Sequence, residues 1–390
     1  MDMAVTKESG LAAGTGSKVR ITRVETIPLR VLLTAPVKIA SGAARPFVEV
    51  LLVRLHTNEG VVGIGETQAW RRQGSAETLA SLTRVIEDHF TPHIIGQSPF
   101  AAASIMKALD QAIYHSYYAQ APISDALFDL QGKILGVPVY ALLGGKCRDT
   151  VGGCAVLFIK PTLEETLEGA ADFHRRGFRS FTVKVGLDLK ADVANVRGIR
   201  ERFGEDVIIR VDANAVMGFD DALKLLKRIE PYDIDAAEQL LPLHDIDGMA
   251  ELARRTDIPI MTDECVATDH DLLHVIEKRA ATVVQTKVAK NGGLWYSRKL
   301  WHIADAAGMR IYPGNHPCTS IATASVTHLA AAWPGPLLDG PFSAGICGGL
   351  AEDVVSDPLE VDGHLVKVPD KPGLGVTLDE EKIKRMRADL

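Results

Sequence analysis

The 390-residue chain contains no apolar run of transmembrane length, so no membrane span is expected. It shows no leader-like sequence of charged, apolar and small residues, and a cytoplasmic protein is expected. Acidic residues outnumber basic ones, 50 to 43, for a net charge of -7, and no basic stripe runs along the chain. Nucleic acid is therefore excluded as the main partner. Cysteine is scarce: Cys147, Cys154, Cys265, Cys318 and Cys347 are odd in number and without paired spacing. Neither a disulfide framework nor a zinc site follows from them. What is present is ordinary for a globular protein, with 46% hydrophobic and 24% charged residues. The length suits one large barrel with a smaller module.

Three textures divide the chain. Residues 1–17 are rich in Gly, Ala, Thr and Ser and are expected to be a disordered N-terminus. From 18 to about 140 strands come first and helices follow, the pattern of a small α+β module. Val19 to Pro28, Val48 to His56 and Val61 to Thr67 read as strands, with a turn at Asn58-Glu59-Gly60. Leu32 to Pro46, rich in Ala, Ser, Gly and Pro, reads as an exposed loop. From about 150 to 340 short β-branched runs alternate with amphipathic segments. The runs fall near 154–158, 181–185, 207–212, 235–239, 258–263, 282–288 and 309–313. Repeated strand-helix units of roughly 25 residues predict a parallel (β/α) barrel, with a doubly wound sheet as the alternative. Residues 341–390 are loop-like and rich in Gly and Pro.

The strand around Thr182-Val183-Lys184-Val185-Gly186 places a lysine inside an apolar run. Lysine is seldom buried without a partner. Strand alternation puts Thr182 with Lys184, Arg210 with Asp212, Ala236 with Glu238, Met261 with Asp263, and Gln285 with Lys287 on inward faces. Asp212, Glu238 and Asp263 close three successive strands, at the end where barrel enzymes gather their catalytic groups. A single strand-end Asp is usually a helix cap. Three in matched register repel one another unless a cation joins them, and oxygen-only ligands select Mg²⁺, Mn²⁺ or Ca²⁺ over zinc. Lys184 or Lys287 alone reads equally well as a lysine snorkelling at a barrel mouth; together, across one site, they read as catalytic. Lys290, off the inward parity, reads as solvent-facing. His316 and Cys318 read equally well as a packed loop or as substrate contacts.

These stretches resemble the enolase superfamily, in its mandelate racemase/muconate lactonizing enzyme family. The matching pieces are Thr182-Val-Lys184-Val-Gly186, Val211-Asp212-Ala-Asn214, Glu238-Gln239, Thr262-Asp263-Glu264 and Lys287-Val-Ala-Lys290-Asn-Gly-Gly293. Asp362-Gly363 and Pro372-Gly-Leu-Gly375 near the end match as well. The resemblance implies an N-terminal α+β capping domain over a modified (β/α)7β TIM-type barrel, with residues 341–390 returning to the cap. It implies one Mg²⁺ (Mn²⁺ as a substitute) on Asp212, Glu238 and Asp263, and Lys184 as base. Lys287 on the sixth barrel strand is similar to the muconate lactonizing subgroup. A homo-oligomer is also implied. Two positions depart from the pattern. Thr182 stands where the family's Lys-x-Lys motif has its first lysine, which contacts the substrate carboxylate. Cys318 lies nearest the glutamate that muconate-type members often carry.

The expected activity is removal of the proton α to a carboxylate, through an enediolate, with Lys184 and Lys287 as an acid/base pair. Asn214, Gln239 and Glu264 are expected to support the ligands and lysines from behind. Racemisation, epimerisation or cycloisomerisation of a small carboxylate would result, the substrate being an amino acid, a proline derivative or an unsaturated acid. β-Elimination of water by the same site, for example from a hydroxyproline, is the alternative. A Schiff-base lyase acting through Lys184 and a non-catalytic binding barrel are more distant ones. Thr182, Trp70, His316 and Cys318 are the expected substrate contacts, and Arg71 or Arg72 could meet a second carboxylate.

Overall fold

A computed structural model describes residues 18–40, 42–69, 77–341 and 349–389. The expectations for residues 1–17, Trp70, Arg71 and Arg72 lie outside the described residues. Strands β1 (Ile21–Ile39), β2 (Gly42–Thr57) and β3 (Val62–Gln68) form an antiparallel sheet in that order. Helices α1 (Leu79–Arg84), α2 (Thr91–Ile94), α3 (Ala102–Ala112), α4 (Tyr117–Leu135) and α5 (Val139–Leu142) follow. Leu51, Val53 and Leu55 of β2 and Ile123, Ala126 and Leu130 of α4 share one apolar core. Gly65 sets the distance between sheet and helix: a Cβ there would lie 2.0 Å from the Pro122 carbonyl oxygen. Only a residue without a side chain lets backbones approach so closely.

Where an exposed loop is expected over Leu32 to Pro46, the described residues on either side of position 41 form the end of a long hairpin. Val31 pairs with Val48, Leu32 with Phe47 and Val37 with Arg45, with a register shift between Leu32 and Val37. Pro36 falls in that irregular stretch, where a missing N–H costs no ladder bond. The hairpin is held down at its edge and near its tip. Thr34 N donates to the Gly349 carbonyl (2.9 Å), and Ile159 N donates to the Lys38 carbonyl (3.2 Å).

Seven parallel strands then alternate with helices. They are β4 (Thr150–Leu157), α6 (Leu163–Arg175), β5 (Ser180–Lys184), α7 (Leu189–Phe203), β6 (Ile208–Asp212), α8 (Phe219–Ile229) and β7 (Ile234–Glu238). The series continues with α9 (Ile246–Arg255), β8 (Ile260–Thr262), α10 (Asp269–Lys278), β9 (Val283–Lys287), α11 (Gly293–Ala306), β10 (Arg310–Gly314) and α12 (Ser320–Ala332). Neighbours in sequence are neighbours in the sheet, from β4 to β10. The short β11 (Gly340–Pro341) closes the ring: it pairs in parallel with β4, and Leu338 N donates to the Ile311 carbonyl of β10. The architecture is the modified TIM-type barrel with an α+β cap. The helices are amphipathic: Ala222, Leu225, Leu226 and Ile229 of α8 are buried while its charged residues face outward. No helix among the described residues is long and apolar enough to cross a membrane.

Two carboxylates tie the parts together. Asp129 of α4 accepts from Ile64 N (2.8 Å) on β3 and from Leu374 N (2.7 Å) near the chain end. Gly373 is needed there, at φ +74°, because a Cβ would lie 2.2 Å from Asp129 Oδ1. Glu66 of β3 plugs the N-terminus of α12, accepting from Thr319 N (3.0 Å), Thr319 Oγ1 and Ala322 N (3.4 Å). Such an anion complements the helix dipole. Burial nevertheless pushes its carboxyl up to about 7, against the Thr319 hydrogen bonds. A carboxyl raised on folding binds its proton more tightly in the native state. Its stability contribution is full below about pH 4.5 and is lost as pH rises towards 7, a loss on the order of 3 kcal/mol. Glu66→Gln is expected to flatten that part of a pH series of denaturant midpoints; an unchanged slope would refute the assignment.

Candidate active site

Lys184, Asp212 and Glu238 are backbone partners across β5, β6 and β7. The same register that builds the sheet therefore lines up a lysine and two carboxylates at its C-terminal edge. Asp263 follows immediately after β8, and Lys287 ends β9. Asp212 and Glu238 are each 2% exposed and Asp263 is fully buried. Lys184, Asp212, Asn214, Glu238 and Lys287 border a cavity of about 430 Å³. The hairpin residues Ala35, Val37, Ile39 and Phe47 form part of its wall, and the cavity runs on to α6 at Thr166 and Phe173.

Each lysine holds one outer carboxylate. Lys184 Nζ donates to Asp212 Oδ2 and, at 3.1 Å, to Asn214 Oδ1. Lys287 Nζ donates to Asp263 Oδ2. Burial works against both ammonium charges. Asp212 and Glu238 nevertheless hold Lys184 above its ordinary range, and Asp263 and Glu264 do the same for Lys287. Burial alone would raise the Asp263 carboxyl, but the Lys287 and Lys290 charges keep it well below the usual range. Glu238 differs from its neighbours: its side chain has no hydrogen-bond or ion-pair partner among the described residues. Burial, then the charges of Asp212 and Asp263, push its carboxyl well up.

The expected supporting residues converge here. Asn214, at φ +47°, donates backbone N to Asp212 Oδ1 (2.7 Å) and Nδ2 to Asp212 Oδ2 (3.2 Å) and Glu264 Oε1 (3.3 Å). Gln239 Oε1 accepts from Asp263 N (3.0 Å) and Cys265 N (3.2 Å), fixing the loop after β8. Glu264 is pushed up to about 8, by burial and by Asp263, and its Oε2 has no hydrogen-bond partner.

Lys290 is not solvent-facing but 4% exposed; it donates to the Asp263 backbone carbonyl and to Oδ1 (3.1 Å). Strand parity stops applying at Lys287. The chain turns there, with Asn291 N bonded to the Lys287 carbonyl (2.9 Å), and brings Lys290 back towards Asp263. The Lys-x-x-Lys spacing before Asn-Gly-Gly was the available signal. His316 borders the cavity and shares a 2.9 Å hydrogen bond with the Tyr118 hydroxyl. Burial and the Lys287 charge keep its ring neutral, well below the usual range. Cys318 is fully buried and off the cavity wall, its thiol 3.4 Å from Thr323 Oγ1. It lies in the stretch between β10 and α12. Thr182 does border the cavity.

Among the described residues, no three His, Cys, Asp or Glu side chains are drawn together closely enough to enclose an ion. The donor set nevertheless fits a hard divalent cation. Asp212, Glu238 and Asp263 offer only oxygen, sit on adjoining strands, and centre on a buried carboxylate without a cationic partner.

The N-terminal domain profile of the mandelate racemase/muconate lactonizing enzyme family matches residues 21–144. The profile described as enolase C-terminal domain-like matches residues 165–382. The chain is 31% identical to the N-succinyl-L-Arg/Lys racemase of Bacillus cereus, over 94% of this chain and 98% of that one. It is 34% identical to muconate cycloisomerase 1 of Rhodococcus opacus, over 93% and 97%. The crystal structure of a dipeptide epimerase from Enterococcus faecalis, complexed with Mg and the dipeptide L-Leu-L-Tyr, superposes with a TM-score of 0.86. That chain is 29% identical, covering 92% of this chain and 99% of its own.

Proposed function

The chain belongs to the mandelate racemase/muconate lactonizing enzyme family of the enolase superfamily, and on that premise we propose that it racemises or epimerises a small carboxylate by moving the proton on the α-carbon. The observation that carries this reading is the pair of lysines on β5 and β9, bordering one cavity and each tied to a strand-end carboxylate. A substrate α-carbon between them has one amine on each face. One lysine takes the proton and the other returns one to the opposite face, which inverts the centre. Such positioned proton transfer contributes about 10²–10⁴-fold.

Asp212, Glu238 and Asp263 are the residues that would hold Mg²⁺ or Mn²⁺. Bound there, the ion would offset the carboxylates that keep the lysines charged and would stabilise the charge developing on the substrate carboxylate. Asn214 orients Asp212, and Gln239 and Lys290 orient Asp263. His316, kept neutral, is a hydrogen-bonding wall and not a third charge.

The hairpin wall is mostly apolar, with Arg45 and Glu49 on it, and the cavity volume lies within the ~300–1,000 Å³ usual for small-molecule sites. Its reach to α6 accommodates an amino acid or proline derivative that carries a substituent. Because relatives include a racemase of N-succinylated amino acids and a dipeptide epimerase, the test set should hold free, N-acylated and peptide-linked amino acids, prolines and unsaturated acids. In D₂O with Mg²⁺, deuterium is expected to enter the α-position of the substrate and its optical rotation to decay. Product formation without solvent label, or activity undiminished by exhaustive EDTA treatment, would sink the reading.

A further inference from the structure

Beneath the two lysines the cavity continues into a layer of uncharged polar side chains. Thr182 lies two residues behind Lys184, and Gln285 two residues behind Lys287, on the same inward faces. Tyr312 of β10 is the backbone partner of Gln285. These three border the cavity, as does Asn315 just beyond β10. The Tyr312 hydroxyl lies 3.2 Å from Thr182 Oγ1, which in turn lies 3.2 Å from the Cys154 thiol. Arg210, the backbone partner of Thr182, is not on the cavity wall. It stacks behind the Tyr312 ring at 5.1 Å and is occupied by Asp235 and the Asp339 carbonyl.

Two amides in this wall are unsatisfied. Gln285 Oε1 and Asn315 Nδ2 are buried with no hydrogen-bond partner, although Gln285 is only 2% and Asn315 8% exposed. Buried polar atoms are nearly always paired, so an unpaired pair on a cavity wall points to a ligand that completes them. Gly314 belongs to the same design: a Cβ there would come within 2.9 Å of Gln285 Cγ.

We propose that Thr182, Gln285, Tyr312 and Asn315 anchor the substrate's reacting carboxylate through uncharged donors. The inference rests on the carboxylate reading above. If the α-carbon sits between Lys184 and Lys287, its carboxylate is one bond away, and this layer is the adjoining polar surface not already committed to Asp212 or Asp263. A carboxylate offers about four acceptor directions. The bonded Thr182–Tyr312 hydroxyl pair has one proton to give outward; with the two amide NH₂ groups, the Gln285 amide turned to present Nε2, it supplies donors for the directions that a cation on the carboxylate triad would leave open.

The variants are Tyr312→Phe, Gln285→Met and Thr182→Val, with Thr182→Ser as the conservative control. For the carboxylate that the wild type exchanges fastest in D₂O, half-saturation is expected to rise about 10- to 100-fold in the first three. The maximal exchange rate should fall by less than that factor, Thr182→Ser should stay within about threefold of wild type, and all four should melt cooperatively. Unchanged half-saturation in the first three would overturn the proposal. If the wild type exchanges no carboxylate, the function reading fails, and calorimetric binding of the same carboxylates to wild type and Tyr312→Phe decides separately. Weaker binding by the variant supports the anchor; equal binding, or none to either protein, overturns it.

Discussion

Alanine at Lys184 or at Lys287 is expected to lower racemisation by about 10²–10⁴-fold, and the two variants should differ in what they retain. Each lysine serves one face of the α-carbon, so Lys184→Ala should still wash out the α-proton of one enantiomer and Lys287→Ala that of the other. Neither should interconvert the two. Measuring α-proton exchange by NMR on each pure enantiomer separates this outcome from a one-base mechanism. In that case one variant loses exchange on both enantiomers and the other on neither. Both lysines are largely buried, and each is paired to a buried carboxylate, so removing either leaves an anion short of its partner. Breaking such a pair costs about 3–5 kcal/mol. Circular dichroism and a melt must therefore accompany the kinetics. An unfolded variant says nothing, whereas a folded, inactive one with face-specific exchange identifies the acid/base pair.

The barrel and its carboxylate triad were legible because two periods coincide. Strands recur about every 25 residues, and side chains alternate by two within each strand, so Asp212, Glu238 and Asp263 could be placed on one rim without coordinates. Where a strand ends, that arithmetic ends too. Lys290 sits three residues past Lys287 in a turn, and parity sent it to solvent when the turn sends it to Asp263. Beyond β10 no parity applies either: of His316 and Cys318, each readable as packed loop or substrate contact, the structure brings His316 to the cavity wall and buries Cys318 off it. The hairpin from Leu32 to Pro46 was hidden by composition. Ala, Ser, Gly and Pro signal loops, but backbone pairing across a register shift and docking onto Gly349 hold this segment in strand. The contact between Glu66 and α12 joins residues 253 apart, a separation that no local pattern encodes. The uncharged layer under the lysines was half visible. Gln285 and Thr182 fall on the inward parity, whereas the orphaned amide atoms that mark the layer appear only once the chain is folded.

Glu238→Gln is expected to do what few active-site substitutions do, raising stability while abolishing activity. In the presence of chelator the variant should melt a few degrees above wild type at neutral pH. Saturating Mg²⁺ should lift the wild type by RT ln(1 + [L]/Kd) and leave the variant almost unmoved. The physical reason is the position of Glu238 between two other acids. Its carboxylate is 2% exposed and has no cationic side chain bonded to it, and burial together with Asp212 and Asp263 penalises its charge. Glutamine keeps the shape and removes that charge. The sign with pH follows. A carboxyl raised on folding contributes stability that is full below the ordinary Glu value, ~4.3, and declines as pH climbs towards its raised folded value. The advantage of the variant should therefore be small at pH 4 and grow towards neutrality. Asp263→Asn makes the opposite case. It removes the anion shared by Lys287 and Lys290 and should lower the melting temperature at neutral pH, because two buried cations lose their partner. If Glu238→Gln were instead destabilising in chelator, or retained the wild-type response to Mg²⁺, Glu238 could not be the acid held in readiness for a cation. The metal would then have to be sought on other groups of the rim.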